Sequence, residues 1–172
     1  MRFFSLLLLI LTCTIAFSQG EGDIQRIRML REEVDTHLND YKKTILKTAD
    51  RTDADKNEIE IYTTDANTIR LIKEIYHSET GKTILSDYLQ DGEPYFVLKE
   101  YITYNLPVTD KKFDPQKATK TEVSYYFKNG RVIRWMTGKK ISKFDKSSAI
   151  VENNIIENIH AIVAEYNKTI TP

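Results

Sequence analysis

Lys82-Thr83-Ile84-Leu85-Ser86-Asp87-Tyr88-Leu89-Gln90-Asp91-Gly92-Glu93-Pro94-Tyr95-Phe96-Val97-Leu98-Lys99 sets two β-like runs on either side of Asp-Gly. Both central residues of a type I′ turn need positive φ, which Asp and Gly tolerate, so the stretch predicts a tight antiparallel hairpin. A two-residue turn pairs Leu89 with Pro94 and Tyr88 with Tyr95. Strict alternation then puts Leu85, Leu89, Phe96, Leu98 and Ile102 on one face, and Tyr88, Tyr95, Val97, Lys99 and Tyr101 on the other.

The same signal recurs on both sides. Asn129-Gly130 joins runs at 121–128 and 131–142, and Thr80-Gly81 marks a turn between 68–78 and 82–90. Around Asn129-Gly130 the alternation groups Val123, Tyr125, Phe127, Val132, Arg134 and Met136, against Tyr126, Ile133, Trp135, Lys128 and Arg131. With 58–64 and 93–105 this makes five to six strands rich in Ile, Val, Thr, Tyr and Phe. Short turns between successive strands force a meander. The long loop 106–119, with Pro107 and Pro115, interrupts it once.

Helical spacing frames the strands. Ile24, Ile27, Leu30, Val34, Leu38, Tyr41 and Ile45 step by three or four residues and predict one amphipathic helix over 23–47. Val151, Ile155, Ile159, Ile162 and Tyr166 predict another over 147–167. The fold class expected is α+β: an antiparallel β-meander of five to six strands, flanked by an N-terminal and a C-terminal amphipathic helix.

The first residues read as a leader. Arg2 precedes the apolar run Phe3–Leu11, and Ala16-Phe17-Ser18 places small residues where a signal peptidase reads. Residues 1–18 are therefore expected to be a signal peptide, with 19–172 forming a single exported domain, periplasmic or extracellular, and not an integral membrane protein. Lipid attachment at Cys13 fits less well, because Thr12 stands where a small Gly, Ala or Ser is wanted. Cys13 is the only cysteine, so the mature domain is expected to hold no disulfide or thiolate metal site. Removing the leader leaves one net negative charge, which gives no electrostatic case for nucleic acid.

Glu79-Thr80-Gly81-Lys82, Asp87 to Gly92, Tyr95 to Tyr101, Tyr104-Asn105, Tyr125-Tyr126-Phe127-Lys128-Asn129-Gly130 and Ile133-Arg134-Trp135 follow one another in this order. The pattern resembles a group of small exported bacterial proteins of unknown function. These share a Gly-turn hairpin, an aromatic strand ending in Tyr-Asn, and a Tyr-Tyr-Phe-x-Asn-Gly hairpin closing on Ile-Arg-Trp. The resemblance covers about residues 58–142 and implies the sheet. It brings no catalytic residues.

Six strands at about 4.8 Å spacing make a sheet nearly 30 Å wide. Two helices lying side by side, about 10 Å apart, cover most of one face. Strands that read half-apolar favour that arrangement over one helix on each side. The other face is then open and presents Tyr88, Tyr95, Tyr101, Tyr126 and Trp135 with Lys99 and Arg131. Rings with polar tips suit an unknown protein, peptide or glycan partner, or a second copy of the chain as a homodimer face. Cross-strand pairing of strand-favouring aromatics explains the same residues without a ligand.

The function expected is non-catalytic binding. A hydrolase using sheet carboxylates, or an envelope assembly subunit, is the alternative. Glu74, Asp87 and Glu100 lie in neighbouring strands, but interleaved Lys and Arg make ion pairs the simpler reading. Ser78 beside His77 has no nucleophile elbow. His37, His77 and His160 lie far apart in the chain, and no metal or cofactor is expected. Asp53, Asp55 and Asn57 open like a calcium loop, but Glu58 replaces the glycine that should follow and Thr64 the closing acid.

Overall fold

The computed structural model describes residues 20–46, 58–144 and 146–170. The proposed leader, Cys13, Asp53, Asp55 and Asn57 lie outside the described residues. Helix α1 spans 20–36, and helix α2 spans Lys146–Ile170. Between them run β1 (Lys42–Leu46), β2 (Glu58–Thr63), β3 (Ile69–Ser78), β4 (Gly81–Gln90), β5 (Glu93–Thr103), β6 (Thr119–Lys128), β7 (Arg131–Thr137) and β8 (Lys140–Ile141). They form one open antiparallel sheet in sequence order, an eight-stranded meander rather than five to six strands. The α+β class holds, with a helix at each end.

The two extra strands have local causes. Gly138, at φ +57°, turns the chain between Thr137 and Lys140, so the run at 131–142 divides into β7 and β8. The expected helix 23–47 ends at residue 36. There His37 Nδ1 lies 2.9 Å from the Glu33 carbonyl and caps the last turn. Leu38 and Tyr41 still pack against the cluster that α1 enters, so the apolar spacing continues after the helix has stopped. Residues 42–46 then pair with β2, Leu46 turning inward and Ile45 outward.

Both Asp-Gly and Asn-Gly turns form as expected, with Asp91, Gly92, Asn129 and Gly130 all at positive φ. In the third, Ser78 pairs with Gly81, so Glu79-Thr80 make the turn and Gly81 begins β4. A Cβ on Gly81 would meet the Ile102 carbonyl oxygen, and only glycine allows that approach.

The registers carry three bulges. Tyr62 pairs with Leu71 but Thr63 with Ile69; Tyr88 pairs with Phe96 but Leu89 with Pro94; Tyr126 pairs with Arg134 but Phe127 with Val132. Arg70, Tyr95 and Ile133 are thus the extra residues. A bulge breaks the alternation of faces at that point. Beyond it, every residue of β5 and β7 lies on the face opposite to the one strict alternation assigns.

The result is a sheet with one helix on each side. Ile24, Ile27 and Val34 of α1 join Tyr62, Leu71, Tyr88, Tyr95, Phe96, Leu98 and Tyr126 in one buried cluster. Ile159, Ile162 and Tyr166 of α2 join Leu46, Ile59, Ile61, Ile72, Leu89, Val97, Tyr125 and Phe127 in the other. Paired residues share a face and sequence neighbours oppose, so the two clusters lie on opposite sides. This overturns the expected arrangement of both helices on one face. The physical reason is helix direction. Glu21 near the start of α1 pairs with Arg134 of β7, and Asp35 near its end bonds Tyr88 of β4. Glu152 of α2 meets β7, and Asn158 meets Glu74 of β3. Each helix runs across the strands, and 25 residues at 1.5 Å each extend about 37 Å. One such helix spans the sheet, so no second is needed beside it.

Candidate functional site

The seven residues expected on an open aromatic face separate into three environments. Tyr88, Tyr95 and Tyr126 are 3%, 7% and 6% exposed beneath α1. The Tyr88 hydroxyl donates to Asp35 Oδ1 at 2.7 Å, and that of Tyr95 to the Leu30 carbonyl at 3.1 Å. Burial first, then the Asp35 hydrogen bond, push the Tyr88 phenol well above its usual value, and burial does the same at Tyr95. Their polar tips are satisfied by a helix laid over them. Trp135 packs on the opposite face against the α2 cluster, its ring 5.3 Å from Tyr125. Arg131 donates to Glu152 Oε1 at 2.8 Å, while the second oxygen of that carboxylate accepts from the Val132 amide at 2.7 Å. The expected continuous open face is therefore absent, and five of its residues are helix-docking residues.

Lys99 and Tyr101 stay accessible. Tyr101 is 40% exposed, and the Lys99 ammonium lies 5.1 Å from its ring centroid. Both sit on the α2 side, toward the strand ends that α2 leaves bare. Sheet registers assemble their surroundings in rows. Tyr76, Thr83, Tyr101 and Thr121 are directly paired across β3, β4, β5 and β6. At about 4.8 Å per strand, this row sets four hydroxyl-bearing side chains in a line about 14 Å long. The next row is Glu74, Leu85, Lys99, Val123 and Thr137, followed by Ile72, Asp87, Val97, Tyr125 and Trp135. The first row is exposed or half-exposed, and the last lies under α2.

A shallow depression of about 320 Å³ opens at this end around Gly81, lined by Tyr76, Thr83 and Tyr101 from one face of the sheet and His77, Lys82 and Ile102 from the other. The loop after β5 borders it. The Tyr104 amide donates to the Thr80 carbonyl and that of Val108 to the Glu79 carbonyl, both at 2.9 Å. Tyr104 and Phe113 pack edge to face at 5.2 Å and give the loop a small core of its own. A second depression, of about 680 Å³, lies between α1 and the two hairpin tips, over Ile27, Leu30, Pro94, Tyr95 and Phe127. The Lys128–Asp23 ion pair, 2.7 Å long, lies at its rim.

Of the three sheet carboxylates, Glu100 ion-pairs with Lys120 on the α1 side. Glu74 and Asp87 come together under α2, 1% and 2% exposed, and have no ion-pair partner among the described residues. The ion-pair reading holds for Glu100 and fails for this pair. Tyr76 donates to Glu74 Oε2 at 2.5 Å and Asn158 to Oε1 at 2.6 Å. Burial, then the charge of Glu74, push the Asp87 carboxyl well above the usual aspartate range. Among the described residues, no three His, Cys, Asp or Glu side chains are grouped to hold a metal, and no helix is long and apolar enough to cross a membrane.

Sequence reasoning missed Tyr76, Thr83 and Thr121. The signal was partial: placing the β3–β4 turn at Glu79-Thr80 aligns Tyr76 with Thr83, but their alignment with Tyr101 and Thr121 needs the bulge at Tyr95 and the β5–β6 pairing across the long loop. It also missed that Tyr95-Phe96-Val97-Leu98 and Tyr125-Tyr126-Phe127 are continuous apolar runs, the pattern of a strand covered on both faces.

No family model, no curated protein and no solved structure matches this chain.

Proposed function

We propose that the protein is an exported binding domain whose open sheet end, on the α2 side, takes a glycan chain. The observation that supports this is the row Thr83–Tyr101–Thr121 at the open end of the sheet, one hydroxyl-bearing side chain per strand, with the accessible Tyr101 ring at its centre. Hydroxyl-bearing side chains on neighbouring strands offer repeated hydrogen bonds to a linear polymer of hydroxylated rings. The Tyr101 ring gives one apolar plane for a sugar face. A single cation, Lys99, in the adjoining row favours neutral or weakly acidic sugars over strongly anionic ones. Binding by such a shallow polar surface is weak for each contact and gains from several in register. A hydrolytic role for Glu74 and Asp87 is disfavoured by their enclosure, since a general acid must reach the bond it protonates.

Retardation of the native protein in gels containing soluble polysaccharides tests the reading. Tyr101→Ala together with Thr83→Val should reduce retardation at least tenfold while leaving the melting temperature within about 2 °C. Absence of retardation by every neutral and weakly acidic polysaccharide would overturn it.

A further inference from the structure

We infer that Asp87, enclosed with Glu74 beneath α2, is a proton-dependent latch: α2 stays seated while Asp87 is uncharged and loosens when it ionises. Ile72 and Asp87 are paired across β3 and β4, so Glu74, two residues along β3, is the diagonal neighbour of Asp87 on the same face. Both are almost wholly enclosed. Ionising a second carboxyl there places two like charges side by side in a low-dielectric setting.

Among the described residues, the groups facing the pair do not neutralise it. From β2 comes Ile59, paired with Glu74. From β3 comes Tyr76, whose hydroxyl already serves Glu74. β5 supplies Lys99 and Tyr101, but the Lys99 ammonium rests over the Tyr101 ring. β6 supplies Tyr125, whose phenol is itself raised by burial. α2 supplies Asn158, a neutral donor already used by Glu74. Its charged neighbours turn elsewhere, Glu152 to Arg131 and His160 toward Glu93 at 3.9 Å. None of these described groups is left to solvate a second charge, and lifting α2 would admit water to it.

The sign follows from linkage. A carboxyl raised in the folded state contributes stability that is fully present below the ordinary aspartate value of 3.8 and is lost as pH rises through its folded value. Acid seats the helix and alkali releases it. Because Tyr76 is paired with Thr83 at the open end and also donates to Glu74, release of α2 also widens the open end of the sheet.

Amide hydrogen exchange on the whole protein, corrected for the intrinsic pH dependence of exchange, tests the latch. Protection of residues 155–166 should fall at least tenfold between pH 5 and pH 9 while that of residues 24–34 holds. Asp87→Asn should abolish the difference. Should that variant fail to fold, Glu74→Gln serves, because removing either charge removes the repulsion. Equal loss of protection in the variant, or none in the native protein, overturns the inference. So does the absence, at pH 5, of an infrared band from a protonated carboxyl that titrates away as α2 loosens.

Discussion

The two faces of the sheet are closed by similar helices in different ways. Under α1 the contact is aromatic. Phe96 lies edge-on to Tyr126 at 4.9 Å and tilted to Tyr88 at 5.6 Å, with the Arg31 guanidinium 5.0 Å from the Phe96 ring centre. Tyrosine hydroxyls bond to the helix itself, and ion pairs to Lys128 and Arg134 hold its first turn. Under α2 the contact is largely aliphatic, built on Ile59, Ile61, Ile72, Leu89, Val97, Ile159 and Ile162, with two carboxyls enclosed in it. A row of tyrosines is therefore no sign of an open surface. A phenol has an apolar body to bury and a tip that a helix carbonyl or carboxylate satisfies as well as water does. The less conspicuous face holds the titratable pair and, beyond the reach of its helix, the accessible ring.

The sharpest way to break this contrast is at the centre of the aromatic face. Phe96→Ala removes the ring that Tyr88, Tyr126 and the Arg31 guanidinium touch and should cost about 3–5 kcal/mol in denaturant unfolding. Ile159→Ala, its counterpart under α2, should cost about 2–4 kcal/mol by the same measurement, aliphatic packing losing less area. The faces should then diverge with pH. Asp87→Asn should raise the melting temperature above that of the native protein at pH 8 and lose the advantage near pH 4, whereas Tyr88→Phe should lower it at both. The Tyr88→Phe loss should be about 1 kcal/mol, the size of one hydrogen bond whose acceptor keeps a second partner in Arg31. Smallest of all, Tyr101→Ala should change unfolding by less than about 0.5 kcal/mol, because its ring stands 40% exposed and covers little of either core. A large loss there would move Tyr101 from a binding residue to a packing residue.

Much of the fold was legible because it is written in adjacent residues. Asp91-Gly92 and Asn129-Gly130 specify their turns by backbone conformation alone, and the meander follows once each turn is short. The stripes Ile24–Val34 and Ile155–Tyr166 specify helices by spacing. β1 was hidden, because Tyr41 and Ile45 happen to continue the helical step while Thr44 and Leu46 take a strand's inward positions. The candidate site was legible only in Lys99 and Tyr101. Tyr88, Tyr95, Tyr126 and Trp135 carry the same residue chemistry in settings the sequence did not separate.

By itself the sequence determined an antiparallel meander between two amphipathic helices, since turn chemistry and apolar period act over a few residues. Only the tertiary structure decided which face each helix covers. An apolar stripe demands a partner surface without saying which. Single-residue bulges at Arg70, Tyr95 and Ile133 invert the faces of everything beyond them, and their placement is set by strand pairing and twist across the whole sheet. That choice left Tyr101 in the open and closed Asp87 away from water.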